Sequence, residues 1–100
     1  MKIQMIGIDH SSAGVRIREQ FAFTASQAGR AMEEIKKQPG VKGCVLLSTC
    51  NRMELYVSTE QEELCLWTLL ADVCRLPALE YAPYFQVRSG QDAAMHLMYL

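Results

Sequence analysis

No apolar run in these 100 residues approaches the roughly 20 needed to cross a bilayer; the longest, Leu64 to Ala71, is broken by Thr68. The opening Met1-Lys2-Ile3-Gln4-Met5 carries one charge and meets Asp9 and His10 before a signal-peptide apolar stretch can build up, so a soluble, cytoplasmic protein is expected. Charge of one sign is also missing: 10 Lys+Arg against 11 Asp+Glu leave a formal net charge of -1. A chain that mainly grips phosphates would show an electropositive footprint, so nucleic acid is not held chiefly here. The four cysteines, Cys44, Cys50, Cys65 and Cys74, include no C-x-x-C pair and are joined by only two histidines, His10 and His96. That is a poor zinc site, and no metal is expected. Without a secretory signal a disulfide framework is not expected either, and reduced thiols leave room for thiolate chemistry.

Half of the residues are hydrophobic, enough for a core without staples at this length. Lys2 to Ile8 reads as a strand, followed by the small polar loop Asp9-His10-Ser11-Ser12-Ala13-Gly14. Val15 to Phe23 has a short amphipathic helical pattern. Thr24 with Gln27 makes a capping box, and Ala28, Ala31, Met32 and Ile35 recur at helical spacing, predicting a helix over Ala25 to Lys37 that Pro39-Gly40 stops. Gly43 to Thr49 and Met53 to Ser58 alternate like strands and are separated by Cys50-Asn51-Arg52, which predicts an antiparallel hairpin with Cys50 at its turn. Thr59 with Glu62 repeats the cap spacing before a stripe of Leu64, Trp67, Ala71 and Cys74, a helix ending before Pro77. Tyr84 to Arg88 is a last strand, and Ser89 with Asp92 caps a helix from Gln91 to Leu100. The order predicts an α+β fold, a ferredoxin-like antiparallel sheet with helices packed on it, with no boundary inside the chain.

Chemistry concentrates at Ser48-Thr49-Cys50-Asn51-Arg52. A thiolate is the strongest ordinary side-chain nucleophile near neutral pH, and an acyl group carried on sulfur stays reactive. Arg52 adds a positive charge and a fork for a carboxylate, while Ser48, Thr49 and Asn51 add short hydrogen-bonding groups. By the same physics Cys50 could be one small half-buried residue among four. Cys44, Cys65 and Cys74 read as packing residues. His10 suits either substrate contact or plain solvent exposure, and His96, among Ala93, Met95, Leu97 and Leu100, suits either a structural or a proton-transfer role.

The run Leu46-Leu47-Ser48-Thr49-Cys50-Asn51-Arg52-Met53-Glu54-Leu55-Tyr56 resembles the signature of the glutamyl-tRNA reductase family. Gly7-Ile8-Asp9-His10, Val15-Arg16-Ile17-Arg18-Glu19 and His96-Leu97-Met98 extend the resemblance over essentially the whole chain. It implies an N-terminal catalytic domain spanning residues 1–100, with an NADPH-binding domain and a helical dimerisation domain expected after residue 100. It further implies that Cys50 attacks the ester of glutamyl-tRNA and holds glutamate as a thioester until NADPH reduces it to glutamate-1-semialdehyde, the first step toward porphyrins. Under it Cys50 and His96 are catalytic, and Thr49, Asn51, Arg52 and His10 contact substrate. A homodimer formed through the later domain, and product transfer to glutamate-1-semialdehyde aminomutase, are implied as well. Asp9 stands where the family usually has Asn, and Ser11 to Gly14 replace a stretch that usually ends in proline, adding negative charge to the presumed substrate loop. A domain that kept the fold and lost turnover is the alternative reading.

Overall fold

A computed structural model describes residues 2–11, 13–49, 52–60 and 83–98 of the chain. The elements run β1 (Lys2–Asp9), α1 (Val15–Gln20), α2 (Ala25–Lys36), β2 (Val41–Ser48), β3 (Arg52–Thr59), β4 (Gln86–Ser89) and α3 (Gly90–Met98). The four strands form one sheet in the order β2-β3-β1-β4, and every neighbouring pair is antiparallel. The mixed helix and strand content and the antiparallel sheet agree with the α+β expectation.

Strand alternation sends side chains to two faces with different partners. Ile6 and Ile8 of β1, Leu46 of β2, and Met53, Leu55 and Val57 of β3 face one way and bury against Phe21, Ala28, Ala31 and Ile35. Ile3 and Met5 of β1, Leu47 of β2 and Tyr56 of β3 face the other way and meet Ala93 and Leu97 of α3. Among the described residues, α2 thus packs on one face and α3 on the other. Each fully buried aliphatic or aromatic side chain contributes on the order of 1.5–3 kcal/mol relative to exposure.

The local signals explain most boundaries. The predicted capping box is present: Thr24 Oγ1 accepts from Gln27 N–H at 3.1 Å, and Gln27 Oε1 accepts from Thr24 N–H at 2.9 Å. Gly40 follows Pro39 at φ 87°, the left-handed conformation that turns the chain into β2. Helix α1 ends at Gln20, earlier than its pattern suggested, and Phe21 turns into the core, stacking edge-on to Phe85 with centroids 4.9 Å apart. Next to it the Phe23 N–H donates to Ser48 Oγ at 2.9 Å, tying the α1–α2 connection to β2.

The predicted hairpin forms, with Ser48 opposite Met53 and Leu47 opposite Glu54; β3 begins at Arg52, one residue sooner than expected. Strand β2 begins at Val41, because an irregularity between Val41 and Gly43 lets the pairing run past Lys42. Thr59, expected as a helix cap, is the fully buried last residue of β3. The helix marked by Leu64, Trp67, Ala71 and Cys74 lies outside the described residues. Strand β4 covers Gln86–Ser89, two residues later than expected at its start, and α3 follows it directly.

Candidate active site

The ends of β2 and β3 close on each other: Thr49 N–H donates to Arg52 O at 2.8 Å, and Arg52 N–H donates to Thr49 Oγ1 at 3.3 Å. The continuing hairpin register dictates the first bond, and the short hydroxyl of Thr49 supplies the second. Asp9, the last residue of β1, pairs with Arg52 across the sheet. One Asp9 carboxylate oxygen accepts from Ser11 N–H at 2.9 Å and from Ser11 Oγ at 2.6 Å, an Asx-type turn. An Asn carbonyl could accept the same bonds, so the turn geometry does not demand the acid.

Beside this closure lies a cavity of about 380 Å³, walled by Val15, Arg18, Glu19 and Ala22 on one side and by Thr49, Arg52 and Met53 on the other. Two guanidinium side chains, one carboxylate and the Thr49 side chain among apolar neighbours suit a small ligand that carries charge of both signs. Its position follows from α1, which brings Arg18 and Glu19 over the β2–β3 end before Phe21 anchors the chain.

On the α3 face of the same strand end, Glu54 is buried in an apolar stretch of β3, with its side chain 4% exposed. Its Oε2 lies 2.5 Å from His96 Nε2. Its Oε1 accepts from Tyr56 Oη at 3.5 Å and lies 3.9 Å from Arg52 Nη1. An uncompensated buried carboxylate would cost several kcal/mol, and these three partners supply the compensation. Burial first, and then the neighbouring Glu54 charge, push the Tyr56 phenol up to about 12, so it serves as a neutral donor. Gly7 lies opposite Glu54 in β1, and a Cβ there would come within 2.8 Å of Glu54 Cγ and 3.0 Å of Met53 O. Only glycine leaves room for the glutamate stem.

Of the residues singled out from sequence, Thr49 and Arg52 share a wall of the cavity, and His96 joins Arg52 through Glu54. His10 is exposed in the turn after β1 and does not line the cavity. Cys50 and Asn51 lie outside the described residues, as do Cys65 and Cys74. Cys44 packs beneath α2, where its thiol donates to Met32 O at 3.4 Å, and burial raises its pKa above the usual 9.0 against a smaller opposing effect of Lys36. Glu54, Tyr56 and Gly7 stand in the runs that resemble the family but were not among the residues singled out for the site. The signals were present: a lone acid in the apolar run Met53-Glu54-Leu55-Tyr56-Val57, and a lone glycine inside a strand.

Comparison with known proteins comes to rest on one family. The model described as "Glutamyl-tRNAGlu reductase, N-terminal domain" matches residues 6–100. A glutamyl-tRNA reductase of Halalkalibacterium halodurans is 37% identical, over 97% of this chain and 22% of that protein. One from Neisseria meningitidis is 35% identical, over 96% of this chain and 23% of that protein. The solved structure of glutamyl-tRNA reductase from Methanopyrus kandleri superposes with a TM-score of 0.65 at 28% identity, covering 95% of this chain and 21% of that one. The chain therefore spans less than a quarter of the length of these relatives.

Proposed function

Since this chain belongs to the family of glutamyl-tRNA reductase N-terminal domains, we propose that it carries the acyl-transfer half of glutamyl-tRNA reduction, with Cys50 as the nucleophile. The thiolate of Cys50 attacks the ester carbonyl of glutamyl-tRNA, the C–S bond forms as the C–O bond to the ribose breaks, and the glutamyl group stays on sulfur as a thioester. Holding the activated group in place turns the following reduction into a reaction at a fixed site. Glutamate-1-semialdehyde is the product of the whole enzyme, at the head of tetrapyrrole synthesis.

The observation that carries this reading is the Thr49–Arg52 closure with the Arg52 guanidinium on the wall of a charged cavity. Arg52 binds the glutamyl carboxylate there, and Thr49 and Asn51 shape the pocket. His96 handles the proton that leaves the thiol and returns to the ribose oxygen. His10, exposed at the end of β1, reaches bound substrate from the loop side. The strand order β2-β3-β1-β4, with all neighbours antiparallel, supports the ferredoxin-like reading of the sheet.

NADPH supplies the hydride for reduction of the thioester in the complete enzyme. The residues of this chain do not fit that cofactor: no G-x-G-x-x-G run occurs in the sequence, and no parallel strand pair cradles a helix N-terminus among the described residues. In this reading NADPH binding falls to a part of the protein other than these residues. No helix among the described residues is long and apolar enough to cross a membrane.

The test is to incubate the chain with glutamyl-tRNA, quench in acid, and map glutamyl adducts by mass spectrometry beside Cys50→Ser. A glutamyl adduct on Cys50, or deacylation that disappears in Cys50→Ser, is the expected result. Intact tRNA with unmodified Cys50 in a folded, tRNA-binding chain would instead make this a binding module without turnover.

A further inference from the structure

Glu54 touches neither the cavity nor a ligand-facing surface, and yet it is the most buried charged side chain described and joins Arg52, Tyr56 and His96. We propose that Glu54 is a positioning residue that fixes which nitrogen of His96 does chemistry. Its carboxylate accepts a hydrogen bond from Nε2–H, holds the proton on that nitrogen, and leaves Nδ1 as the nitrogen that exchanges a proton with the reactants. The use of that proton rests on the thiol reading above; the tautomer rests on geometry alone.

Four observations point the same way. An ionised carboxylate has only acceptor sites, so a 2.5 Å contact with Glu54 Oε2 requires the hydrogen to sit on His96 Nε2. The other oxygen, Oε1, accepts from the buried Tyr56 hydroxyl and faces the Arg52 guanidinium, so a carboxylate that swung away would leave the Tyr56 hydroxyl without this partner. Gly7 stands opposite Glu54 in β1, and the glutamate stem occupies the space that a Cβ there would need, 2.8 Å from Glu54 Cγ. Among the described residues, no hydrogen bond engages His96 Nδ1, and the imidazole is 24% exposed.

The proton count closes on this one atom. Nδ1 takes the thiol proton as the sulfur attacks the ester carbonyl carbon. As the C–O bond breaks, Nδ1 gives the same proton to the departing ribose oxygen, and the imidazole returns to its starting tautomer. Glu54 meanwhile keeps Nε2 protonated and offsets the transient imidazolium charge, the function a buried carboxylate serves beside a catalytic histidine in unrelated acyl-transfer sites.

The experiment reads the tautomer directly. In the 15N-labelled chain, long-range 1H–15N correlation of the imidazoles, assigned with His96→Ala, distinguishes a protonated from an unprotonated ring nitrogen. The expected spectrum has Nε2 protonated and Nδ1 bare in the neutral ring. Glu54→Gln, whose amide can donate or accept, should mix the two tautomers and lower Cys50-dependent deacylation of glutamyl-tRNA by about 10²-fold or more, with Glu54→Asp restoring part of both. A wild-type spectrum with the proton on Nδ1 overturns the proposal whatever the variants do. So does a folded Glu54→Gln that keeps the wild-type tautomer and deacylation rate. Should the wild-type chain form no acyl-enzyme at all, the thiol reading falls, and the ring-nitrogen pattern still decides whether Glu54 sets the tautomer.

Discussion

Tyr56 has a buried ring and a phenol raised from 10.0 to about 12, and it sets a pH limit on the fold. In the native chain it keeps its proton where an unfolded chain has already lost it. The stability derived from this difference is whole below pH 10 and declines as the pH rises toward 12. Urea titrations stepped through that window should show the decline, and Tyr56→Phe should flatten it. Gly7→Ala tests the close approach of β1 to Glu54. The added methyl meets backbone as well as side chain, so a loss of about 1–3 kcal/mol is expected by urea denaturation. Cys44, with its pKa raised by burial, should be alkylated more slowly at neutral pH than Cys50, which mass mapping of a timed labelling will show. At this scale sequence and structure part company most clearly at Glu54. Its type and position were legible, but its partner His96 comes from α3, 42 residues along the chain, and no local pattern carries that pairing. Arg52 was legible because its charge needs no partner to be noticed.

Between residues and the whole lie elements whose ends obey local chemistry. Helix α2 was readable to within a residue, because its start is a reciprocal cap and its stop is Pro39-Gly40. Thr24→Ala removes one half of that cap and should cost about 1 kcal/mol, seen as a lower midpoint in urea with an unchanged slope. Strand limits were less legible. The pairing of β2 extends to Val41 through an irregularity at Lys42 that no alternation announces, and β4 starts at Gln86 because its partner positions in β1 run only from Gly7 to Gln4. Phe21 illustrates the opposite error, since an apolar residue at helical spacing reads as one more turn of α1. The sheet offers it a better burial than the helix does, and α1 ends at Gln20, three residues short of the Phe23 that its pattern suggested.

For the molecule as a whole, the sheet separates two apolar clusters, one under α2 and one under α3, and the site forms where the strand ends bring both sides within reach of Arg52. Leu55, fully buried in the larger cluster, should lose about 2–5 kcal/mol on Leu55→Ala, whereas Val45→Ala, 41% exposed on an edge strand, should stay within about 0.5 kcal/mol; thermal and urea unfolding of the pair will separate them. The hairpin was legible because adjacent strands announce themselves. The place of β1 between β3 and β4 is carried by no local pattern and entered only through the ferredoxin-like reading of the element order, since it depends on pairings across most of the chain. That placement has a consequence for biosynthesis. Of the four strands β1 is made before the others yet ends as an inner one, so a nascent chain carries an apolar segment with two unpaired edges until residues 52–59 emerge, and with one until residues 86–89 follow. In this protein the order of synthesis runs against the order of pairing.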